Sequence, residues 1–141
     1  MQQVTADDLV NRAIGLSAGA GYIDVIKLAK LLDINVFFAD DVKDDFNACI
    51  ELDPETNYYN ILVNPNHPLE RQRFSIAHEL AHYSLHKGKL DKKGKLNRDP
   101  KDLLNKMDEE KADKLAAEIL MPAPLLKKYI TQYYFQFQLK L

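Results

Sequence analysis

The sequence has a single cysteine and no long hydrophobic run. Because Cys49 has no second cysteine to pair with in the 141 residues, an internal disulfide is excluded. No apolar run approaches the roughly 20 residues that a membrane-spanning helix needs. The first residues also lack the basic stretch and apolar run of a secretory signal. The sequence therefore predicts a cytoplasmic protein.

The chain also carries little net charge. A formal net charge of −2 provides no basic field of the kind that binding to a phosphate backbone requires, so direct nucleic-acid binding is not expected. By contrast, 46% hydrophobic and 28% charged residues are ordinary values for a globular protein. A chain of this length fits one domain, and we expect residues 1–141 to form it.

Local patterns predict an α+β fold with helices towards both ends and strands between them. Helical spacing of apolar residues and β-branched or aromatic runs alternate along the chain. The predicted helices are 5–16, 23–32, 69–86, 107–120 and 125–134, and the predicted strands are 34–39, 46–52 and 58–63. This order predicts a small antiparallel or mixed three-stranded sheet.

Turn-forming residues mark the connections between these elements. Residues 19–21 (Gly-Ala-Gly) separate the first two helices, and residues 53–57 join the second and third strands with the chemistry of a hairpin loop. The lysine-rich segment 88–102 contains two glycines, and its composition predicts an exposed loop. Pro122 and Pro124 end the helix that precedes them.

The pentapeptide His78-Glu79-Leu80-Ala81-His82 has the form H-E-x-x-H and lies inside a predicted helix. At about 100° per residue, the two histidines lie one turn apart on one face, where both imidazoles can bind one ion. Glu79 lies beside that face, where it can reach a water at the metal without being a ligand. The pattern predicts a zinc site with His78 and His82 as ligands and Glu79 as general base. Two ordinary helix histidines are the alternative, because so short a motif also arises by chance.

Catalytic zinc normally has three protein ligands, so another ligand must come from elsewhere in the chain. His86 shares a face with His78, but two turns of straight helix separate them by about 12 Å, too far to share one ion. No Gly or Pro between His82 and His86 suggests a bend. We therefore expect a structural role for His86, and an exposed loop position for His67.

Glu109, near the start of helix 107–120, is a better third ligand. Asp113 lies one turn further on the same face, where it can accept a hydrogen bond from a ligand histidine and fix its tautomer. Acidic residues near a helix start are also common on the surface, where they complement the helix dipole. The interpretation of this pair therefore depends on the H-E-x-x-H motif.

Three blocks in this order make the chain resemble the ImmA/IrrE family of metallopeptidases: 73–82 (RFSIAHELAH), 109–113 (EEKAD) and 115–122 (LAAEILMP). The resemblance covers about residues 23–122. It implies a minimal thermolysin-like fold in which the small sheet packs on the H-E-x-x-H helix, opposite a glutamate helix. It also implies that Glu109 is the third ligand. The family's usual E-x-E-A-N is E-E-K-A-D here, and a shift of one residue would make Glu110 the ligand instead.

The resemblance further implies a zinc-dependent endopeptidase, with one Zn²⁺ ion and a helix-turn-helix transcriptional repressor as protein substrate. The alternative is a zinc-containing partner of a repressor, or of a toxin–antitoxin pair, that binds without cleaving. Glu79 favours the enzyme, because holding zinc does not need that carboxylate.

Such an enzyme also needs a donor for the oxyanion that forms at the attacked carbonyl. Tyr83, beside the motif, and Tyr58 and Tyr59, on a predicted strand, are the candidates, although each also fits a packing role. Strand 58–63 directly precedes the motif helix, and we expect it to offer an edge to which an extended substrate adds.

Overall fold

The computed structural model describes residues 3–17, 22–93 and 106–140, and within them the fold is α+β, as predicted. The elements are α1 Ala6–Leu16, α2 Val25–Leu31, β1 Asn35–Phe38, β2 Ala48–Leu52, β3 Tyr59–Val63, α3 Leu69–Lys93, α4 Lys106–Leu120 and α5 Ala123–Lys140. Among the described residues, no helix combines the length and the hydrophobicity that crossing a bilayer requires.

Side-chain caps start the two N-terminal helices. The Thr5 hydroxyl accepts from the Asp8 backbone N–H, and the Asp8 carboxylate accepts from the Thr5 backbone N–H, each at 3.1 Å. This capping box begins α1 where the sequence predicts it. Asp24 begins α2 by accepting from the Lys27 backbone N–H at 3.0 Å. The break predicted at residues 19–21 lies outside the described residues.

The sheet is mixed, with β3 between β1 and β2. β2 and β3 form the predicted antiparallel hairpin, in which Ile50 pairs with Ile61. β1 runs parallel to β3 and places Val36 beside Ile61. Alternate residues of a strand point to one face, and on β3 the buried residues Tyr59, Ile61 and Val63 follow this alternation.

β3 is a central strand, so the expectation that it offers an edge to a substrate is wrong. One side of β3 pairs with β1 and the other with β2, which uses its main-chain groups on both sides. The edges of the described sheet are β1 and β2. Of these two, β2 packs more extensively on α3, the helix that carries H-E-x-x-H.

α3 and α4 share the most extensive contact between any two of the described elements. Buried alanines with no solvent exposure lie on both helices, Ala77 and Ala81 on α3 and Ala112 and Ala116 on α4. The distance between packed helices depends on the side chains at their contact, and small side chains allow a close approach. The approach brings the start of α4 to the middle of α3.

Two helices extend beyond their predicted bounds. The predicted loop 88–102 is wrong at its start, because α3 continues to Lys93 and Leu90 is buried in the core. The rest of that segment lies outside the described residues. α5 is longer than predicted at both ends and begins at Ala123. Pro124 is tolerated there because the first turn of a helix does not use its backbone N–H groups.

The buried face of α3 makes a prediction about stability. Leu80 is inaccessible to solvent, so Leu80→Ala leaves a cavity and should lower the free energy of unfolding by about 2–5 kcal/mol. Leu69→Ala is the matched control on the same helix, because Leu69 is 67% exposed. The control should change the free energy by less than about 0.5 kcal/mol. Chemical denaturation of the metal-free protein measures both, and equal effects would contradict this burial.

Candidate metal centre

The H-E-x-x-H motif lies in the middle of α3, where the helix is packed on the core. His78 and His82 are one turn apart, and their rings meet edge to face with centroids 4.6 Å apart. Both side chains are buried, His82 completely. Because buried polar groups need partners for their nitrogens, the atoms around these two rings define the site.

The Nε2 atoms of both histidines meet the carboxylate of Glu109 from α4. His78 Nε2 lies 2.8 Å from Glu109 Oε2 and 3.0 Å from His82 Nε2, and His82 Nε2 lies 3.3 Å from the same oxygen. In a tetrahedral zinc site with bonds near 2.0 Å, two ligand atoms are about 3.3 Å apart. The three atoms therefore approximate three corners of such a site, and two imidazoles with one carboxylate are a donor set of catalytic zinc.

The sequence left open whether Glu109 or Glu110 is the third candidate ligand, and the two residues differ in position in the structure. Glu109 belongs to the converging cluster, whereas Glu110 is exposed and does not. Asp113, one turn further along α4, places Oδ1 2.8 Å from His78 Nδ1, at ion-pair distance but not aligned as a hydrogen bond. If His78 binds metal through Nε2, its hydrogen is on Nδ1, and Asp113 is in position to hold that tautomer.

A cavity of about 250 Å³ opens beside the cluster. The residues that line it are Asn47, Arg71, Phe74, Ser75, His78, Glu79 and Asp113. Glu79 is fully buried and yet reaches this cavity. Glu79 therefore lies next to both the cluster and the cavity, which is the region where a general base has to act.

Arg71 and Asn47 bring a positive charge and an amide to the same cavity. Arg71 Nε donates to Asn47 Oδ1 at 3.0 Å, which links α3 to the residue just before β2. Arg71 is the only cationic side chain among the described residues that line the cavity. Sequence reasoning missed this pair. The available signal was the spacing of Arg71 from His78, seven residues, which places both on one helix face.

The three tyrosines considered as oxyanion donors do not line the cavity beside His78. The rings of Tyr59 and Tyr83 pack against each other edge to face, with centroids 5.1 Å apart. Burial raises the pKa of the Tyr83 hydroxyl above its ordinary value. Tyr58 is 52% exposed. Their geometry gives no support to a role at the cluster.

His86 lies behind the cluster rather than in it. Its Nδ1 is 2.9 Å from His82 Nδ1, the nitrogen of His82 that does not face Glu109, and its Nε2 is 3.3 Å from Asp108 Oδ1. The pKa of His86 is lowered, mainly by burial and to a smaller extent by the neighbouring His82. The α3 backbone leaves helical geometry at His86 (φ −128°, ψ 23°), although the sequence there suggests a straight helix.

Comparison with known families adds one finding. Residues 29–137 match the family model described as the IrrE N-terminal-like domain, Peptidase_M78. The match covers most of the chain and includes His78, Glu79, His82 and Glu109. No curated protein matches the chain.

The geometry predicts which substitutions remove the metal. His78→Ala, His82→Ala and Glu109→Ala should each reduce bound zinc from about one ion per chain to almost none, because two remaining ligands hold zinc too weakly. Glu110→Ala is the matched control and should retain the ion. Elemental analysis of each purified and dialysed variant measures the metal content. Loss of zinc from Glu110→Ala with retention by Glu109→Ala would reverse the assignment.

Proposed function

The chain belongs to the IrrE N-terminal-like family of peptidases, and from this premise we propose that it is a zinc-dependent endopeptidase acting on a protein substrate. One observation carries the proposal: a buried glutamate reaches a cavity beside two histidines and a carboxylate that converge on one point. Three protein ligands leave one position of a tetrahedral ion open, as in catalytic rather than structural zinc sites.

The residues of the site divide the chemistry between them. His78, His82 and Glu109 would hold the zinc ion, which when bound would supply Lewis acidity and lower the pKa of water towards about 7. Glu79 takes the proton of the attacking water and passes it to the leaving amine. Asp113 favours the His78 tautomer that presents Nε2. Because Glu79 is fully buried, packing limits its rotamers and keeps the base in place.

The outer edge of β2 provides a place for an extended substrate. No described strand pairs with that edge, and Asn47, the residue just before β2, lines the cavity that Glu79 reaches. A peptide that adds to β2 as a further strand thus runs past the reacting groups. Main-chain hydrogen bonds along β2 would hold the peptide, and side chains around the cavity would select its residues.

Arg71, and not one of the three tyrosines, is the proposed hydrogen-bond donor to the oxyanion. Its guanidinium has five N–H donors, of which the bond to Asn47 uses one. Because this bond orients the side chain beside the cavity, the remaining donors can bind the substrate carbonyl as negative charge develops on its oxygen. A fixed positive charge stabilises that oxyanion more strongly than a neutral hydroxyl does.

A helix-turn-helix repressor is the proposed protein substrate, on the basis of the resemblance to the ImmA/IrrE family. The net charge of −2 is consistent with a protein that acts on a DNA-binding partner and does not itself bind DNA. In this proposal, cleavage of the repressor relieves repression. The competing possibility is a zinc protein that binds the repressor without cutting it.

Glu79→Gln separates the enzyme from the binding partner. Gln keeps the size of Glu but cannot take a proton from water, so cleavage should fall by at least the roughly 10²–10⁴-fold typical of a lost general base. Zinc content should not change, because Glu79 is outside the ligand cluster. The measurement is cleavage of purified helix-turn-helix repressors, together with new peptide termini from a proteome-derived peptide library.

Glu110→Gln is the matched control, since it makes the same chemical change at an exposed position outside the cluster. It should cleave as wild type does. Wild-type activity in Glu79→Gln, with His78 and His82 still needed for the effect on repression, would contradict proteolysis and favour the binding partner.

Arg71→Gln tests the proposed oxyanion donor. Removing one such donor should lower kcat by about 10²–10³-fold and leave zinc content unchanged. Arg71→Lys retains the charge and should recover part of the loss. Tyr83→Phe removes the hydroxyl of one considered tyrosine and serves as the comparison, with kcat expected to stay close to wild type. A large fall in kcat for Tyr83→Phe with none for Arg71→Gln would assign the donor to Tyr83.

A further inference from the structure

A row of four side chains leads away from the proposed metal site. His82 Nδ1 lies 2.9 Å from His86 Nδ1, and His86 Nε2 lies 3.3 Å from Asp108 Oδ1. Lys89 Nζ donates to Asp108 Oδ2 at 2.6 Å. His82, His86 and Asp108 are all buried. These contacts lie in a medium of low dielectric constant, where a misplaced hydrogen is costly.

Metal binding by His82 permits one placement of the hydrogens along this row. The lone pair of His82 Nε2 is needed for the ion, so the hydrogen of its neutral imidazole is on Nδ1. That hydrogen points to His86 Nδ1, which must then be without one and act as acceptor. The hydrogen of His86 is consequently on Nε2, where it faces the Asp108 carboxylate. Lys89 balances the charge of that carboxylate.

The kink of α3 gives His86 its place in the row. The backbone leaves helical geometry at His86 itself (φ −128°, ψ 23°). Beyond the kink, Leu90 is buried in the core and Lys89 reaches Asp108 on α4. Residues on both sides of His86 are therefore anchored in the fold, His82 before the bend and Lys89 and Leu90 after it.

We infer that His86 is a positioning residue for metal binding. It accepts the Nδ1 hydrogen of His82 and thereby fixes the tautomer and the ring orientation that present Nε2 to the ion. Asp108 and Lys89 fix the tautomer of His86 in turn. The inference rests on the metal site of the proposed function and not on peptide hydrolysis.

The zinc dissociation constant, measured by competition with a chromophoric chelator, tests this role. His86→Phe keeps a ring but offers no acceptor, and it should weaken zinc binding by about 10–100-fold. His86→Asn places an amide oxygen near the position of Nδ1 and should recover most of that loss. His86→Gln carries its amide one bond further out, towards Asp108, and should resemble the Phe variant.

Two outcomes of the chelator experiment would overturn the inference. One is an unchanged dissociation constant in His86→Phe. The other is an Asn variant as weak as the Phe variant, since packing of the ring, and not its acceptor nitrogen, would then be responsible. Wild type that binds no zinc would refute the metal site and the proposed function together, whereas the first two outcomes refute the inference alone.

The protonation of the histidine ring nitrogens can also be observed in the zinc-loaded wild type, which needs no substitution. Long-range ¹H–¹⁵N correlation spectra report the hydrogen on each histidine nitrogen. The expected pattern is a bare Nδ1 and a protonated Nε2 in His86, with a protonated Nδ1 in His82. A hydrogen on His86 Nδ1 would overturn the inference, because that nitrogen could not then accept from His82.

Two neighbouring lysines provide the control for the far end of the row. Lys89→Met removes the partner of Asp108 and should weaken zinc binding measurably. Lys87→Met makes the same change two residues away, where Nζ lies 5.9 Å from the centre of the Tyr83 ring, and should not. Equal zinc dissociation constants for the two variants would show that Lys89, and its contact with Asp108, does not contribute to metal binding.

Discussion

The distance between α3 and α4 is the constraint on which the site depends. His78 and His82 come from one helix and Glu109 from the other, so their three ligand atoms meet only when the two backbones approach closely. Buried alanines lie on both helices, and small side chains at a helix contact allow a close approach. Metal bonds tolerate deviations of only about 0.2 Å, so the packing of the two helices against each other controls whether the ligands can share an ion.

The polar side chains buried at this contact are costly for a small protein. Histidines and carboxylates lose hydration when buried, and each must find partners inside the protein. Here His82 has a partner on each nitrogen, and His78 has a carboxylate on either side. An apolar contact between the same helices would stabilise the fold more simply. Such a cluster beside a cavity is therefore better explained by chemistry than by stability.

Much of the fold follows from local sequence patterns, because caps, turns and hydrophobic spacing act over a few residues. The capping box at Thr5 and the hairpin between β2 and β3 are examples. The central position of β3 in the sheet could not be predicted from local patterns, because the composition of a strand does not determine which strands pair with it. The continuation of α3 through Leu90 likewise depends on a core that forms from distant segments.

In the candidate site, too, some residues are predicted by local patterns and others are not. His78, Glu79 and His82 are set by helix periodicity, so the motif alone predicts their arrangement. Spacing from Asp113 favours Glu109 already in the sequence, but Glu110 stays open there, and the convergence of Glu109 with the two histidines of α3 separates them. A difference of one residue turns a helical side chain by about 100°. The row through His86 depends on a kink at His86, and the residues between His82 and His86 include neither Gly nor Pro to indicate it. Local sequence patterns do not predict which side chains from different helices or strands come into contact.

The central claim is that one zinc ion binds between α3 and α4 at the point where the three ligand atoms converge. A crystal structure of the zinc-loaded protein, with anomalous diffraction measured on both sides of the zinc absorption edge, tests it most directly. The account predicts one anomalous peak about 2.0–2.2 Å from His78 Nε2, His82 Nε2 and a carboxylate oxygen of Glu109. A peak bound elsewhere, or a full-occupancy peak coordinated by Glu110 in place of Glu109, would contradict it.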